Sequence, residues 1–152
     1  MTEKEIDNLL WSELKYFKKE EFRYPDEMMK FGFSLLRKLD QFREIVGKPI
    51  IIHSDYRPGD PREHGKGLAV DIHIKGMHIV DQFLCAERSG FFKGIGVYPE
   101  WNSPGLHLDI RNGSSARWGC WTKTGDKENI YVPLDMPFFR TIFEKENKNV
   151  QG

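Results

Sequence analysis

Asp71 stands in the middle of an alternating run, Leu68-Ala69-Val70-Asp71-Ile72-His73-Ile74. In an extended chain successive side chains point to opposite faces. Leu68, Val70, Ile72 and Ile74 therefore share one face, and Ala69, Asp71 and His73 share the other. A carboxylate set into so apolar a strand costs several kcal/mol to desolvate unless a partner compensates its charge. Any fold of this chain has to bring such a partner to Asp71.

Two histidines are the candidates. His64 closes the loop that feeds this strand, a passage carrying Pro58, Gly59, Asp60, Pro61 and Gly65. His107 lies on a second alternating run, in which Leu106, Leu108 and Ile110 face the core while His107, Asp109 and Arg111 face the other way. Imidazole nitrogen and carboxylate oxygen suit zinc, and a catalytic zinc site takes three protein ligands and leaves one position to water. His64, Asp71 and His107 are thus candidate ligands of one Zn2+ ion, with Gly65 and Gly67 letting the backbone turn close beside it. The zinc-protease signature HExxH is absent, and a lone histidine is more often a surface or satisfied core residue than a ligand. His73 shares the face of Asp71. A ligand there would close the site, whereas a structural role leaves it open.

Around these two runs the sequence predicts helices flanking a small, mostly antiparallel sheet, an α+β class, in one domain spanning residues 1–152. Thr2 and Glu5 fit a capping box for a first helix with Ile6, Leu9, Leu10, Leu14 and Phe17 at helical spacing. Pro25-Asp26 starts a second helix with Asp26 as its cap and Met28, Phe31, Leu35, Leu39, Phe42 and Val46 as its stripe, ended by Gly47 and Pro49. Ile50 to His53 reads as a strand, Ile79 to Arg88 as a third helix closed by Gly90, and Gly94 to Tyr98 as a strand ended by Pro99. Asn112 to Asp126, rich in Gly, Ser and Thr, reads as loop, and Ile130-Tyr131-Val132 as a short edge strand. A last helix begins at Pro137-Phe138-Phe139 and frays from Glu144 to Gly152.

Composition narrows the partners. Lys and Arg number 23 and so do Asp and Glu, so no net field holds the chain to nucleic acid or to an anionic membrane. No apolar run is long enough to span a bilayer. The polar, acidic start, Met1 to Asp7, predicts a chain made in the cytoplasm without a secretion signal, which needs another exit route if it acts on a cell wall. Cys85 and Cys120 fit neither a disulfide framework nor a zinc ribbon and read as reduced thiols.

Taken together, Ser54-Asp55-Tyr56-Arg57, Glu63-His64-Gly65-Lys66-Gly67-Leu68-Ala69-Val70-Asp71, Gly94-Ile95-Gly96-Val97-Tyr98-Pro99 and Leu106-His107-Leu108-Asp109-Ile110-Arg111 resemble the zinc D-Ala-D-Ala carboxypeptidase family. More narrowly they resemble its small phage and bacterial branch of peptidoglycan peptidases, which shares a fold with the hedgehog signalling domain. The family pattern of S-x-Y-R, then H-x-x-G-x-A-x-D, then a later strand with the second histidine is met in order, and Arg117-Trp118 resembles the Arg-Trp that follows. The match covers roughly the middle half of the chain. The resemblance implies zinc on His64, Asp71 and His107, and hydrolysis of peptide bonds in peptidoglycan stem peptides. It also implies a role for Arg57 in holding a substrate carboxylate or stabilising the oxyanion, against which stands a loop-stapling bridge to Asp55 or Asp60.

The chain departs from the family at Pro104, where many relatives carry an acidic general base three residues before the second histidine. Two carboxylates are candidates instead. Asp109 shares the strand face of His107, and could equally orient a ligand or pair with Arg111; Glu100 lies in the preceding turn, and could equally be a solvated turn residue. Two functions follow from different classes: a zinc metallopeptidase of carboxypeptidase or endopeptidase type, or a metal-binding but non-catalytic module that binds cell wall or builds a virion.

Overall fold

The computed structural model describes residues 1–123 and 128–151. Among the described residues four α-helices accompany one six-stranded sheet, so the expected α+β class is the observed one. Helices α1 (Glu3–Glu13) and α2 (Pro25–Val46) precede strand β1 (Ile50–Ser54); β2 (Ala69–Ile74), α3 (Ile79–Ser89), β3 (Gly94–Tyr98), β4 (Gly105–Asp109), β5 (Ala116–Lys123), β6 (Glu128–Pro133) and α4 (Met136–Gln151) follow. The strands lie in the order β1-β2-β4-β3-β5-β6, with every pair antiparallel except β3 with β5. No helix among the described residues is long and apolar enough to cross a membrane.

The sheet's two faces follow the alternation of the sequence. Val70 pairs with Leu108 and Ile72 with Leu106, and both leucines are flanked on the far side by Ile95 and Val97 of β3. All six are fully buried and join one core with Leu35, Leu36, Leu39 and Phe42 of α2, Phe83 of α3 and Phe138 of α4. The opposite face carries Asp71, His107, Gly96 and Trp118 in one row across four strands, because Asp71 pairs with His107, His107 with Gly96 and Gly96 with Trp118. Burial of one face thus forces the polar set onto the other.

Several expectations are corrected at element ends. α1 has the predicted capping box on Thr2 and Glu5, but it stops at Glu13, so Leu14 and Phe17 reach the core from the chain beyond it, while Ile6 and Leu9 are exposed. Trp11 is the buried residue of α1. The cap of α2 is Tyr24 rather than Asp26, with Pro25 in the first turn, where its missing N–H is not needed. Phe31 is exposed on α2 and stacks on Tyr56. The expected loop from Asn112 to Asp126 holds strand β5 from Ala116 onward, and residues 124–126 lie outside the described ones. The expected edge strand is β6, and α4 continues through Gln151 instead of fraying from Glu144.

The loop bearing His64 is seated by α2. Gly67 takes a left-handed conformation (φ +73°), and its carbonyl oxygen comes so close to Gly32 that a Cβ on Gly32 would lie 2.4 Å from it. Gly32 is also where α2 departs from helical geometry. The Arg57 amide donates to the His64 carbonyl at 3.0 Å, closing the loop on itself.

Candidate metal centre

His64, Asp71 and His107 converge, with one ligand atom of each within 4.8 Å of the others. His64 comes from a 3-10 turn, Glu63–Lys66, and the other two from paired positions on β2 and β4. His64 Nε2 lies 3.3 Å from Asp71 Oδ1, and His107 Nδ1 lies 3.2 Å from the same oxygen. Donor atoms arranged tetrahedrally about zinc at its usual bond lengths of about 2.0–2.1 Å stand about 3.3 Å apart.

The far nitrogen of each imidazole fixes what the near one can do. His64 Nδ1 donates to the Asp55 carbonyl at 2.9 Å, so Nε2 is the atom left facing Asp71. That Nε2 is buried without a hydrogen-bond partner among the described residues. His107 Nε2 donates to Asp109 Oδ2 at 2.8 Å, so Nδ1 faces Asp71. In the neutral rings two nitrogen lone pairs and one carboxylate oxygen point into the same small space. Such an arrangement is repulsive unless a cation or a proton fills it. The donor set fits zinc.

Electrostatics agree. Burial raises the Asp71 carboxyl, but the hydrogen bond to His107 and the neighbouring His64 outweigh it and hold the group well below the usual carboxylate range. Burial likewise lowers the His107 imidazole, but its bonds to Asp109 and Asp71 win and raise it. In the metal-free protein a proton on His107 occupies the gap that the metal would take.

The other candidate residues divide. Asp109 is fully buried, and both its oxygens are engaged: Oδ2 with His107 and Arg111 Nη2, Oδ1 with the Arg111 amide and Nε. Burial raises its carboxyl, but those bonds hold it well below the usual range. It orients His107. Arg57 donates to Asp71 Oδ2 at 2.6 Å and to Ser54 Oγ at 3.0 Å, and its Nη1 lies 3.8 Å from Asp60; it makes no pair with Asp55, whose carboxylate instead accepts from the Tyr24 amide. Glu100 is not brought to the cluster: it accepts from the Thr122 amide, faces Lys145 and lines a neighbouring cavity. His73 is not among the converging donors and hydrogen-bonds His53 at 2.5 Å. His78 caps α3.

The cluster opens on a cavity of about 1330 Å³, whose walls include Arg57, Arg111, Tyr98, Trp101 and Trp118. Two glycines of β3 make room for this arrangement. A Cβ on Gly94 would lie 2.1 Å from Asp109 Oδ2, and one on Gly96 would lie 2.5 Å from the Trp118 indole. Gly94-Ile95-Gly96 is therefore what lets Asp109 fold under His107 and Trp118 lie beside it, ring centroids 5.1 Å apart. The sequence reading has Trp118 in a loop, and it has Tyr98 and Trp118 only within segments that resemble the family, with no chemical role for either. The spacing Gly94, Gly96, Tyr98 on one strand face was the available signal.

No protein-family model, curated protein or solved structure shows significant similarity to this chain.

Proposed function

We propose that this chain is a zinc-dependent peptidase that hydrolyses peptide bonds in peptidoglycan stem peptides, a member of the D-Ala-D-Ala carboxypeptidase and hedgehog-like superfamily that its motifs resemble. The observation that carries the reading is the buried Nε2 of His64, without a hydrogen-bond partner among the described residues and facing the Asp71 carboxylate, with the other nitrogen of the ring tied to Asp55. His64, Asp71 and His107 would hold the ion. Bound there, zinc would polarise a scissile carbonyl and bring the pKa of a water to about 7. The Asp55 carbonyl and the Asp109 carboxylate fix the two imidazoles. Arg57 neutralises the oxygen of Asp71 that faces away from them. Arg57 and Arg111, both on the cavity wall, supply cationic donors for the carboxylates of a stem peptide. Zinc content and a muropeptide digest read by mass spectrometry test the proposal. New peptide termini are expected from the zinc-loaded protein and none from His64→Ala or His107→Ala; a fully zinc-loaded protein that leaves every muropeptide intact overturns it.

A second reading is a metal-binding module without catalysis. What favours it is the state of the carboxylates: Asp109 is spent on His107 and Arg111, Glu100 is held at Thr122 and Lys145, and Pro104 offers no acid. Bound but uncut muropeptide in the same digest supports this reading over the first.

A further inference from the structure

Trp118 and Tyr98 face the metal cluster from β5 and β3, and one hydrogen bond joins them. The Trp118 Nε1 donates to the Tyr98 hydroxyl oxygen at 3.1 Å. An indole nitrogen can only donate, so the direction of this bond is fixed: the tyrosine oxygen accepts. The phenolic proton must then point elsewhere, and among the described residues it meets no acceptor. Tyr98 is buried, with 8% of its surface exposed, yet it lines the cavity onto which His64, Asp71 and His107 open. A hydroxyl with an unused proton on a cavity wall is a donor able to serve an acceptor placed there.

Its orientation is over-determined. The Tyr98 ring stacks on Trp101 with centroids 4.3 Å apart, and the Trp118 indole packs against His107 and under the Arg111 guanidinium. The absent side chain at Gly96 is what admits the indole to that position. Burial also holds the phenol in its protonated form.

We infer that Tyr98 is a catalytic hydrogen-bond donor, its phenolic O–H donating to the carbonyl oxygen of the scissile bond as negative charge develops there, and that Trp118 is the residue that positions it. The inference rests on the peptidase reading above. Tyr98 keeps its proton throughout and forms no covalent bond; its contribution grows as the planar carbonyl becomes a tetrahedral oxyanion. The acceptor that distinguishes this role is a tetrahedral anion next to the metal, for which the hydroxyl contributes more than for the planar carboxylate of a product.

The test uses the zinc-loaded full chain and its Tyr98→Phe and Trp118→Phe variants. Phenylalanine at 98 keeps the ring that stacks on Trp101 and removes only the hydroxyl. The probes are a phosphinic pseudodipeptide, which presents a tetrahedral anion, and the corresponding dipeptide product, each titrated calorimetrically. Tyr98→Phe is expected to weaken the phosphinate by about 10–100-fold, as for a lost hydrogen bond to a charged group, while zinc affinity and dipeptide affinity stay unchanged. With muropeptide as substrate, kcat should fall on the order of 10²-fold with KM little altered. Trp118→Phe should lose part of the same discrimination between phosphinate and dipeptide, with zinc retained. Equal phosphinate affinity in wild type and Tyr98→Phe overturns the role of Tyr98 and leaves the peptidase reading intact. A zinc-loaded wild type that neither binds phosphinate nor cuts muropeptide overturns the peptidase reading itself, and this inference with it.

Discussion

Asp109 accepts the Nε2 proton of His107 at 2.8 Å, and this single contact decides that Nδ1 is the nitrogen presented to Asp71. Replacing Asp109 with Asn or Ala frees the ring to turn and leaves Arg111 without its partner. Zinc affinity is expected to fall about 10–100-fold, the usual effect of removing the group that orients a ligand histidine. A competition titration against a chromogenic chelator measures it. An unchanged affinity would mean that Asp109 does not fix the ring.

Metal removal should show in stability. A ligand at one hundred times its dissociation constant adds about 2.7 kcal/mol, and a domain of this size gains about 2–4 °C per kcal/mol. Chelation is therefore expected to lower the Tm of the wild type by about 5–10 °C. His64→Ala, lacking the ligand, should melt at the same temperature with and without chelator. A wild-type melt indifferent to chelator and to added zinc contradicts the metal centre.

The pH dependence has a definite sign. The His107 pKa is raised in the folded, metal-free protein. Protonated His107 therefore stabilises that state in full below the ordinary imidazole pKa of about 6.5, and the contribution is lost as pH rises through the raised folded value. Zinc bound there would displace the same proton, so its affinity is expected to climb across that window. Calorimetric titrations at successive pH values read this directly. A flat affinity across the window would show that no proton is released.

Gly94 is predicted to be intolerant of any side chain. A methyl there would overlap the Asp109 carboxylate. Gly94→Ala should destabilise the fold by about 1–3 kcal/mol, the range for overpacking, and weaken zinc binding as well by moving Asp109. Denaturant melts and the chelator competition separate the two effects. A variant with wild-type values in both would require Asp109 to sit elsewhere.

Away from the site, Gln82 is a buried tie. Its Oε1 accepts from the Ile74 amide at 2.9 Å, and its Nε2 donates to the carbonyls of Met77 and Pro104 at 2.9 and 3.0 Å. Gln82→Leu fills the same volume and strands those backbone groups, each worth about 1–3 kcal/mol when left unpaired. Loss of several kcal/mol in urea unfolding is expected, and a loss below about 1 kcal/mol would show that the backbone groups find other partners.

How much of this was legible beforehand depends on range. The alternation around Asp71 and His107 placed both side chains on one face, because a pleat admits no other reading once Val70, Ile72, Leu106 and Leu108 are buried. Pairing of the two strands then brought the residues opposite each other. β5 was hidden for a physical reason. Gly119 gives up its side chain to the Phe138 ring, Trp118 serves the cavity face, and the strand is held by pairing with β3 and β6 on its two sides rather than by its own apolar pattern. Ile6 and Leu9 misled in the opposite direction, since their helical spacing describes a face of α1 that stays exposed. Asp109 was recognised as belonging to the site, but which groups it would spend its oxygens on depended on the tilt of His107 and the reach of Arg111. No spacing rule encodes either.

The chain positions that carry the three metal-facing residues differ in how firmly they are held. Strands β2 and β4 each have a hydrogen-bonded neighbour on both sides, so their amides should be among the slowest to exchange with heavy water. His64 instead rides on a surface turn seated by a glycine contact against α2. An ion held there would be expected to escape through the opening of that one turn, and stiffening the turn to lengthen its residence without touching any of the three residues that would hold it.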